Sequence, residues 1–206
     1  MLLAGVPDAW AQQPGEPSTY ATLLAQLQAG EEAVDFRALR MAYTETDTYS
    51  PYNIDAKEQR QRMFEALFRD NDLDRTALIA DSVLAMNYTD MDGHFALMVT
   101  HGEVGDSTRS ALHRTILQGL IDSIVGEADG RSPSMPWVVI STDEEYALLR
   151  VFGLENQEQS LVNCNGHRCD HLRTLDPETN EVIDIYFDIE IPWQHLASEL
   201  QGGASR

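Results

Sequence analysis

The eight residues Val182–Ile189, VIDIYFDI, decide the fold class of this 206-residue chain. Apolar side chains recur there at every second position, and the residues between them are mostly acidic or polar. The apolar positions are Ile183, Ile185, Phe187 and Ile189. A two-residue period is typical of a β-strand, whose side chains point alternately to opposite faces of a sheet. The stretch therefore predicts a strand with one face in the core and a largely acidic face in solvent.

Signals for turns and further strands precede this strand. Asp176–Asn180 (DPETN) and Asn165–Gly166 are turn sequences, which predict antiparallel hairpins. Trp137–Ile140 has the composition of a buried strand, and Thr142–Tyr146 that of a capped helix start. Residues 127–200 are therefore predicted to form a small C-terminal antiparallel sheet with one or two helices.

The chain before this region has a helical period. Apolar residues recur at helical spacing over residues 18–126, most clearly in Leu73–Met86 and Asp106–Val125. The phrase Val83–Asp106, VLAMNYTDMDGHFALMVTHGEVGD, resembles the helix-turn-helix of tetratricopeptide repeats, but the region holds at most about one and a half repeats. So short an array needs other elements to cover its last apolar face. We expect an α+β fold, in which an N-terminal layer of helical hairpins, tetratricopeptide-like, packs on the sheet as one domain.

The composition excludes several classes of partner. Hydrophobic residues make up 43% of the chain, enough for a globular core. The formal net charge is −20, from 34 Asp and Glu against 14 Lys and Arg, and no basic stripe offsets it. Such a surface repels nucleic acid and anionic membranes. No stretch approaches the ~20 apolar residues of a membrane span. The oligomeric state is left open.

The N-terminal segment indicates export. Met1–Ala11 is a short apolar run that ends in Ala-Trp-Ala, and the polar, Pro-rich Gln12–Pro17 follows it. This pattern is typical of the end of a signal peptide, although the basic start is missing. Residues 1–17 are therefore a truncated signal peptide or a disordered tail, and residues 201–206 are a second disordered tail. The first interpretation predicts a soluble periplasmic or secreted protein.

Both cysteines lie in Val162–His171, VNCNGHRCDH, and permit a zinc site, a redox site or a disulfide. Zinc would need Cys164, His167, Cys169 and His171 around one ion. On one strand face the two histidines would be about 13 Å apart at ~3.3 Å per residue, too far for shared coordination. A redox pair would need the shorter Cys-x-x-Cys spacing. No metal or other cofactor is therefore expected.

A disulfide depends on the register of the hairpin. A four-residue loop, Asn165–Arg168, would place Cys164 and Cys169 directly opposite each other, with Cβ atoms about 4.5–5.5 Å apart, as a bridge needs. A two-residue Asn-Gly turn would instead pair Cys164 with His167 and leave the cysteines diagonal. We prefer the four-residue loop and a disulfide between Cys164 and Cys169. Free structural thiols are the second interpretation, and a metal or catalytic site is the third.

Five polar residues are the remaining candidates for chemistry. They are His94, His113, Glu145, His167 and Asp170. Antiparallel packing of two helices could bring His94 and His113 together, but a histidine buried against a carbonyl or a tyrosine is the more common arrangement. No Gly-x-Ser-x-Gly elbow, phosphate loop or His-Glu-x-x-His motif occurs. The catalytic signal is therefore weak, and an enzyme is not the preferred interpretation.

Several phrases between Asp35 and Ile189, taken in their order and spacing, resemble the family catalogued as domain of unknown function 4919. These phrases are DFRALRMAYTETDTYSPYN, NYTDMDGH, LHRTILQGLIDSI, DGRSPSMPWVVISTDEEYALL, QSLVNCNGH with the following Cys169-Asp170, and IYFDI. The family is found largely in exported bacterial proteins, and the resemblance implies no catalytic residues. Met135-Pro136 departs from its pattern, and Cys169 stands where the family has an aromatic residue. That second departure implies that Cys169 is not an obligatory metal ligand or redox thiol.

The sequence therefore supports two functional hypotheses. The first is a non-catalytic, exported module that binds a peptide, a protein or an envelope component through its helical concavity or its polar sheet face. The second is a hydrolase with an unfamiliar site built from the five candidate residues. Convergence of at least three of those side chains in one cleft would favour the hydrolase.

Overall fold

A computed structural model describes residues 18–30 and 33–203. The predicted signal segment 1–17 lies outside this range, as do residues 204–206 of the predicted C-terminal tail. Within the described residues, none of the helices has the length and apolar composition that crossing a membrane requires.

Eight α-helices, one π-helical segment and four strands follow one another along the described chain. The helices are α1 (Thr19–Gln28), α2 (Phe36–Tyr43), α3 (Ile54–Phe64), α4 (Leu73–Met86), α5 (Met91–Glu103), α6 (Ser107–Val125), α7 (Thr142–Val151) and α8 (Glu190–Gly203), and the π segment is Glu65–Arg69. The strands are β1 (Trp137–Val138), β2 (Glu155–Cys164), β3 (His167–Asp176) and β4 (Glu181–Asp188). Helices therefore dominate the first part of the chain and strands the second, and the predicted α+β class is confirmed.

Short polar side chains begin most of the N-terminal helices. Each accepts a hydrogen bond from a backbone N–H of the first turn, which has no partner within the helix. The residues are Ser18, Asp35, Asn53, Asp72, Asp90 and Asp106, at the starts of α1 to α6. These caps stabilise helices most of which are too short to form alone in water.

Helices α4, α5 and α6 pack consecutively, each against the next along the chain. The prediction of a helix over Leu73–Met86 is confirmed residue for residue. The resemblance of this region to tetratricopeptide repeats remains a prediction.

The strand order in the sheet is β1-β4-β3-β2. The three later strands are antiparallel, as predicted, but β1 pairs parallel to β4, with Trp137 opposite Phe187. The observed sheet therefore differs from the predicted antiparallel sheet at β1. A parallel pair requires a crossover connection. Here α7, β2 and β3 lie between the two paired strands in sequence.

One face of the sheet packs on the helical layer to form the main core. The alternating residues Ile185 and Phe187 of β4 are buried, together with Leu172 of β3. Ile116 and Leu120 of α6 belong to the same cluster. This burial confirms that the predicted apolar face of Val182–Ile189 is the face that meets the core.

The turn between β2 and β3 has two residues, Asn165 and Gly166, with φ angles of 54° and 95°. Cys164 pairs with His167, so the preferred four-residue loop was wrong. Asn-Gly is the strongest signal for a tight turn with positive φ at both positions, and this local preference sets the register. Cys164 and Cys169 are consequently diagonal neighbours, with Cα atoms 5.8 Å apart and sulfur atoms at disulfide distance.

Candidate functional site

A cleft of about 960 Å³ opens between α3 with the π segment on one side and α7 with the start of α5 on the other. Its lining combines aromatic and charged side chains. The lining residues are Lys57, Arg60, Gln61, Phe64, Glu65, Phe68, Arg69, Asp92, Asp143, Tyr146 and Arg150. A cleft of this size is within the range of ligand sites in proteins.

Arg60 connects the three helices at the base of the cleft. Its Nη1 donates to Oδ2 of Asp90 over 2.8 Å, and its Nη2 forms an ion pair with Asp143. Asp90 also accepts the Gly93 N–H through its other oxygen, over 2.8 Å, and so caps α5. Burial raises the pKa of Asp143, although the charge of Arg60 opposes this shift. The network therefore fixes α3, α5 and α7 to one another.

A second ion pair lies beside the first. Arg150 Nε donates to Oδ1 of Asp92 over 3.2 Å, and its Nη2 also contacts this carboxylate. Burial raises the pKa of Asp92 to about 6, and the charge of Asp90 adds to the shift, whereas Arg150 opposes it. The guanidinium of Arg150 also lies 5.4 Å from the centroid of the Phe64 ring. Arg150 is thus held by a carboxylate and by an aromatic face.

Three phenylalanines form the apolar wall. Phe64 and Phe68 are stacked with ring centroids 5.9 Å apart, and Phe95 of α5 lies 6.3 Å from Phe68. Although it is large and apolar, Phe68 is 67% exposed. A smaller cavity of about 270 Å³ adjoins the cleft behind these rings. Its lining is Phe64, Phe68, Met91, Asp92, Phe95, Leu117, Ala147, Arg150 and Val151.

The π segment carries Phe68 out to this wall. At its end the Asp70 N–H bonds to the Glu65 carbonyl, a π-type bond, and Asn71 then turns the chain with φ 50°. Single π turns within helices are rare and occur frequently at functional sites. Their presence here supports the cleft as the candidate site.

The cleft concentrates the few cations of an acidic chain. It is lined by four of the 14 Lys and Arg residues, and one of them, Lys57, is the only lysine in the sequence. Arg60, Arg69 and Arg150 each face a carboxylate, whereas Lys57 forms no ion pair with any residue that the structure describes. The rim of the cleft therefore presents an exposed positive charge.

The candidates His94 and His113 lie together, as antiparallel packing of α5 and α6 allowed, with their Nδ1 atoms 2.9 Å apart. His94 Nε2 is 2.9 Å from the Tyr88 carbonyl oxygen. Burial lowers the pKa of His94 to about 3, and it also lowers the pKa of His113. Burial therefore disfavours the charged form of both rings, which are packed, hydrogen-bonded core groups.

The candidates Glu145 and Asp170 lie between α7 and the sheet. Glu145 is fully buried, and neither of its carboxyl oxygens has a hydrogen-bond partner among the described residues. Asp170 accepts a hydrogen bond from Gln159 Nε2 over 2.8 Å. Burial raises the pKa of Glu145 well above its usual value, and the charge of Asp170 raises it further. Burial also raises the pKa of Asp170.

The candidate His167 occupies a third place, on an exposed hairpin end. Its Nδ1 lies 2.6 Å from Oδ2 of Asp188, and this hydrogen bond raises the pKa of His167. The five candidates thus form three separate sets of contacts, and none of them lines the cleft. Within residues 18–30 and 33–203, no group of three or more His, Cys, Asp or Glu side chains is arranged to hold a metal ion.

Sequence reasoning missed the residues that build the cleft. Asp90 and Asp92 lie in the phrase NYTDMDGH, and Asp143 in STDEEY, both of which supported the family resemblance. By sequence alone, an Asp just before or within the first turn of a helix is explained by capping and by the helix dipole, so these residues carry no separate functional signal. Arg60 and Arg150 had no local signal, because their partners are distant in sequence.

Comparison with known proteins gives one result. A family model described as domain of unknown function (DUF4919) matches residues 18–197, which extends beyond the region that carried the resemblance. No match was found among curated proteins or among solved structures. The resemblance inferred from the sequence phrases is confirmed, and the chain belongs to the family of domain of unknown function 4919.

Proposed function

We propose that this protein is an exported, non-catalytic binding module that holds a peptide segment of a protein partner in the cleft. One observation carries the proposal. An exposed aromatic wall lines a cleft of about 960 Å³, and Arg60 and Arg150 of that cleft are each paired with carboxylates of the protein.

The pairing of the charges favours binding over catalysis. A catalytic acid, base or nucleophile must be free to reach the reacting atoms of a substrate. In this cleft Arg60 is held by Asp90 and Asp143, and Arg150 is held by Asp92. The five residues of the hydrolase hypothesis lie elsewhere, in three sets of contacts. These arrangements support a rigid, preformed recognition surface.

The aromatic wall has the composition of a protein-binding hot spot. Aromatic and Arg side chains dominate the energetics of such interfaces, whereas an isolated exposed apolar residue needs no explanation. Here Phe68 and Tyr146 are exposed beside Arg150, around a concave surface. A peptide that covers Phe68 would bury apolar surface that solvent now contacts, at about 25 cal/mol per Å².

The cysteine pair and the N-terminal segment support export. Disulfides persist in oxidising compartments and are rare in the cytosol. Expressed behind a complete leader start, the segment that ends at Ala11 is expected to be removed, which gives a mature N-terminus near Gln12. N-terminal sequencing of the periplasmic fraction tests this step. Recovery of the uncleaved chain from the cytoplasm alone would contradict it.

The binding proposal is tested by site-specific crosslinking in the full chain. A photoreactive phenylalanine analogue replaces Phe68 in one protein and Leu78 in a second, because these side chains are 67% and 69% exposed. With a periplasmic extract of the source organism, we expect a discrete adduct from position 68 alone. The purified partner should then bind Phe68→Ala at least about tenfold more weakly than Leu78→Ala. Equal labelling from both positions would refute the cleft as the binding site.

A further inference from the structure

We infer that the cleft selects peptides in which an aromatic side chain lies about three residues from a carboxylate. This inference rests on the proposed function and names the ligand class of the same site. It follows from three features of the cleft: an apolar side pocket, an unpaired cation on the rim, and the distance between them along α3.

The side pocket accepts the aromatic anchor. Its volume of about 270 Å³ fits one large side chain, and its walls are mainly apolar. Phe64, Phe68 and Phe95 surround its mouth, with ring centroids 5.9–6.5 Å from one another. Aromatic rings attract a further ring in tilted or offset geometry at about 4.5–7 Å, beyond what burial alone contributes. An aromatic side chain therefore gains more here than an aliphatic one.

The rim accepts the carboxylate. Lys57 is exposed and forms no ion pair with any described residue. Most of the remaining surface of a chain with net charge −20 repels anions. Among the acids of the lining, Asp92 pairs with Arg150, Asp143 with Arg60, and Glu65 with Arg69. Among the described cations of the lining, Lys57 is therefore the one that a ligand carboxylate can contact without displacing a carboxylate of the protein.

The spacing follows from helix geometry. Lys57 and Phe64 are seven positions apart on α3, which is about two turns, so both lie on the same face. At 1.5 Å per residue their separation along the axis is roughly 10 Å. A peptide in the polyproline II conformation covers this distance in about three residues, at ~3.1 Å each, and its three residues per turn place both side chains on the same side.

Capped peptides test this specificity by calorimetric titration of the full chain. The probe is DGSFSGD, in which acids lie three residues from the aromatic anchor in both directions, so that chain direction is irrelevant. The comparison peptides are KGSFSGK and DGSASGD. At about 0.15 M salt, where charges more than ~8 Å away are screened, we expect DGSFSGD to bind about tenfold more tightly than either, since exchange of Asp for Lys replaces attraction to Lys57 by repulsion.

A charge reversal at Lys57 tests whether this residue causes the preference for the acidic peptide. Lys57→Glu should abolish the advantage of DGSFSGD over KGSFSGK, and Arg131→Glu, an equal change in net charge outside the cleft lining, should leave it intact. Both residues are exposed, so neither variant disturbs the core. Equal affinity for DGSFSGD and KGSFSGK would overturn the inference while the crosslinking result still stands. Failure of all three peptides, together with equal crosslinking at positions 68 and 78, would overturn the proposed function as well.

Discussion

Replacement of His94 by Gln is expected to make the protein less sensitive to acid. His94 is fully buried, and burial lowers the pKa of its imidazole from 6.5 to about 3. The unfolded state therefore binds a proton at mildly acidic pH that the folded state does not bind. The contribution of the neutral His94 side chain to the free energy of unfolding is full above pH 6.5. It is lost as pH falls toward 3, at about 1.4 kcal/mol per pH unit. Between pH 6.5 and about 4.5 this loss is roughly 2.7 kcal/mol.

The measurement is the free energy of unfolding in urea for wild type and His94→Gln, at pH 7 and near pH 4.5. Burial raises the pKa of both Asp92 and Glu145, so these groups favour the folded state as pH falls, the opposite of His94. They are present in both proteins and cancel in the difference. We expect wild type to lose about 2.7 kcal/mol more than His94→Gln over this interval.

His167→Gln is the control of opposite sign. The hydrogen bond to Asp188 raises the pKa of His167, so its contribution is present below pH 6.5 and lost as pH rises through the raised pKa. The His167→Gln variant should therefore become slightly more acid-sensitive than wild type. Parallel pH profiles for wild type and His94→Gln would refute the reasoning, because they would show that the folded state accommodates a protonated His94.

Three further predictions follow from buried groups. Glu145→Gln should stabilise the fold by about 1–3 kcal/mol near pH 8, because it removes a buried ionisable group whose oxygens lack partners. The gain should be smaller near pH 5, since the raised pKa of Glu145 favours its neutral form as pH falls. Urea titrations at both pH values that show no gain would contradict this. Arg40 and Glu144 form a buried, bidentate ion pair, so Arg40→Met should lower the free energy of unfolding by about 3–5 kcal/mol, because Glu144 is left buried without its partner. In chemical denaturation, the double variant Arg40→Met with Glu144→Leu should recover most of that loss. Protein purified from the periplasm should gain the mass of two hydrogen atoms on reduction of the disulfide. Reduction should lower the free energy of unfolding by about 2 kcal/mol or less, since the loop from Cys164 to Cys169 is short. Bound zinc with reduced thiols would exclude the disulfide.

Most of the secondary structure could be predicted from the sequence, because its causes are local. The period of Val182–Ile189 determined a strand and also which of its faces is buried. Asp72 before Leu73–Met86 supplied a cap at the residue where that helix begins. The Asn165-Gly166 signal was also local, and by itself it favours a two-residue turn. The error in register arose because direct opposition of the cysteines was preferred to the turn chemistry, although diagonal cysteines also reach bonding distance.

Only the tertiary structure decided where the candidate site lies. Arg60 meets Asp90 from 30 residues away, and Arg150 meets Asp92 from 58 residues away. Such pairs leave no periodicity in the sequence, because each partner alone looks like a helix cap or a solvated surface charge. The same holds for Glu145, which by sequence is an ordinary acid in the first turn of α7 and by burial is a carboxyl without a hydrogen-bond partner. A local pattern specifies the face that a residue occupies on its own element, whereas its environment depends on which other elements pack against that face.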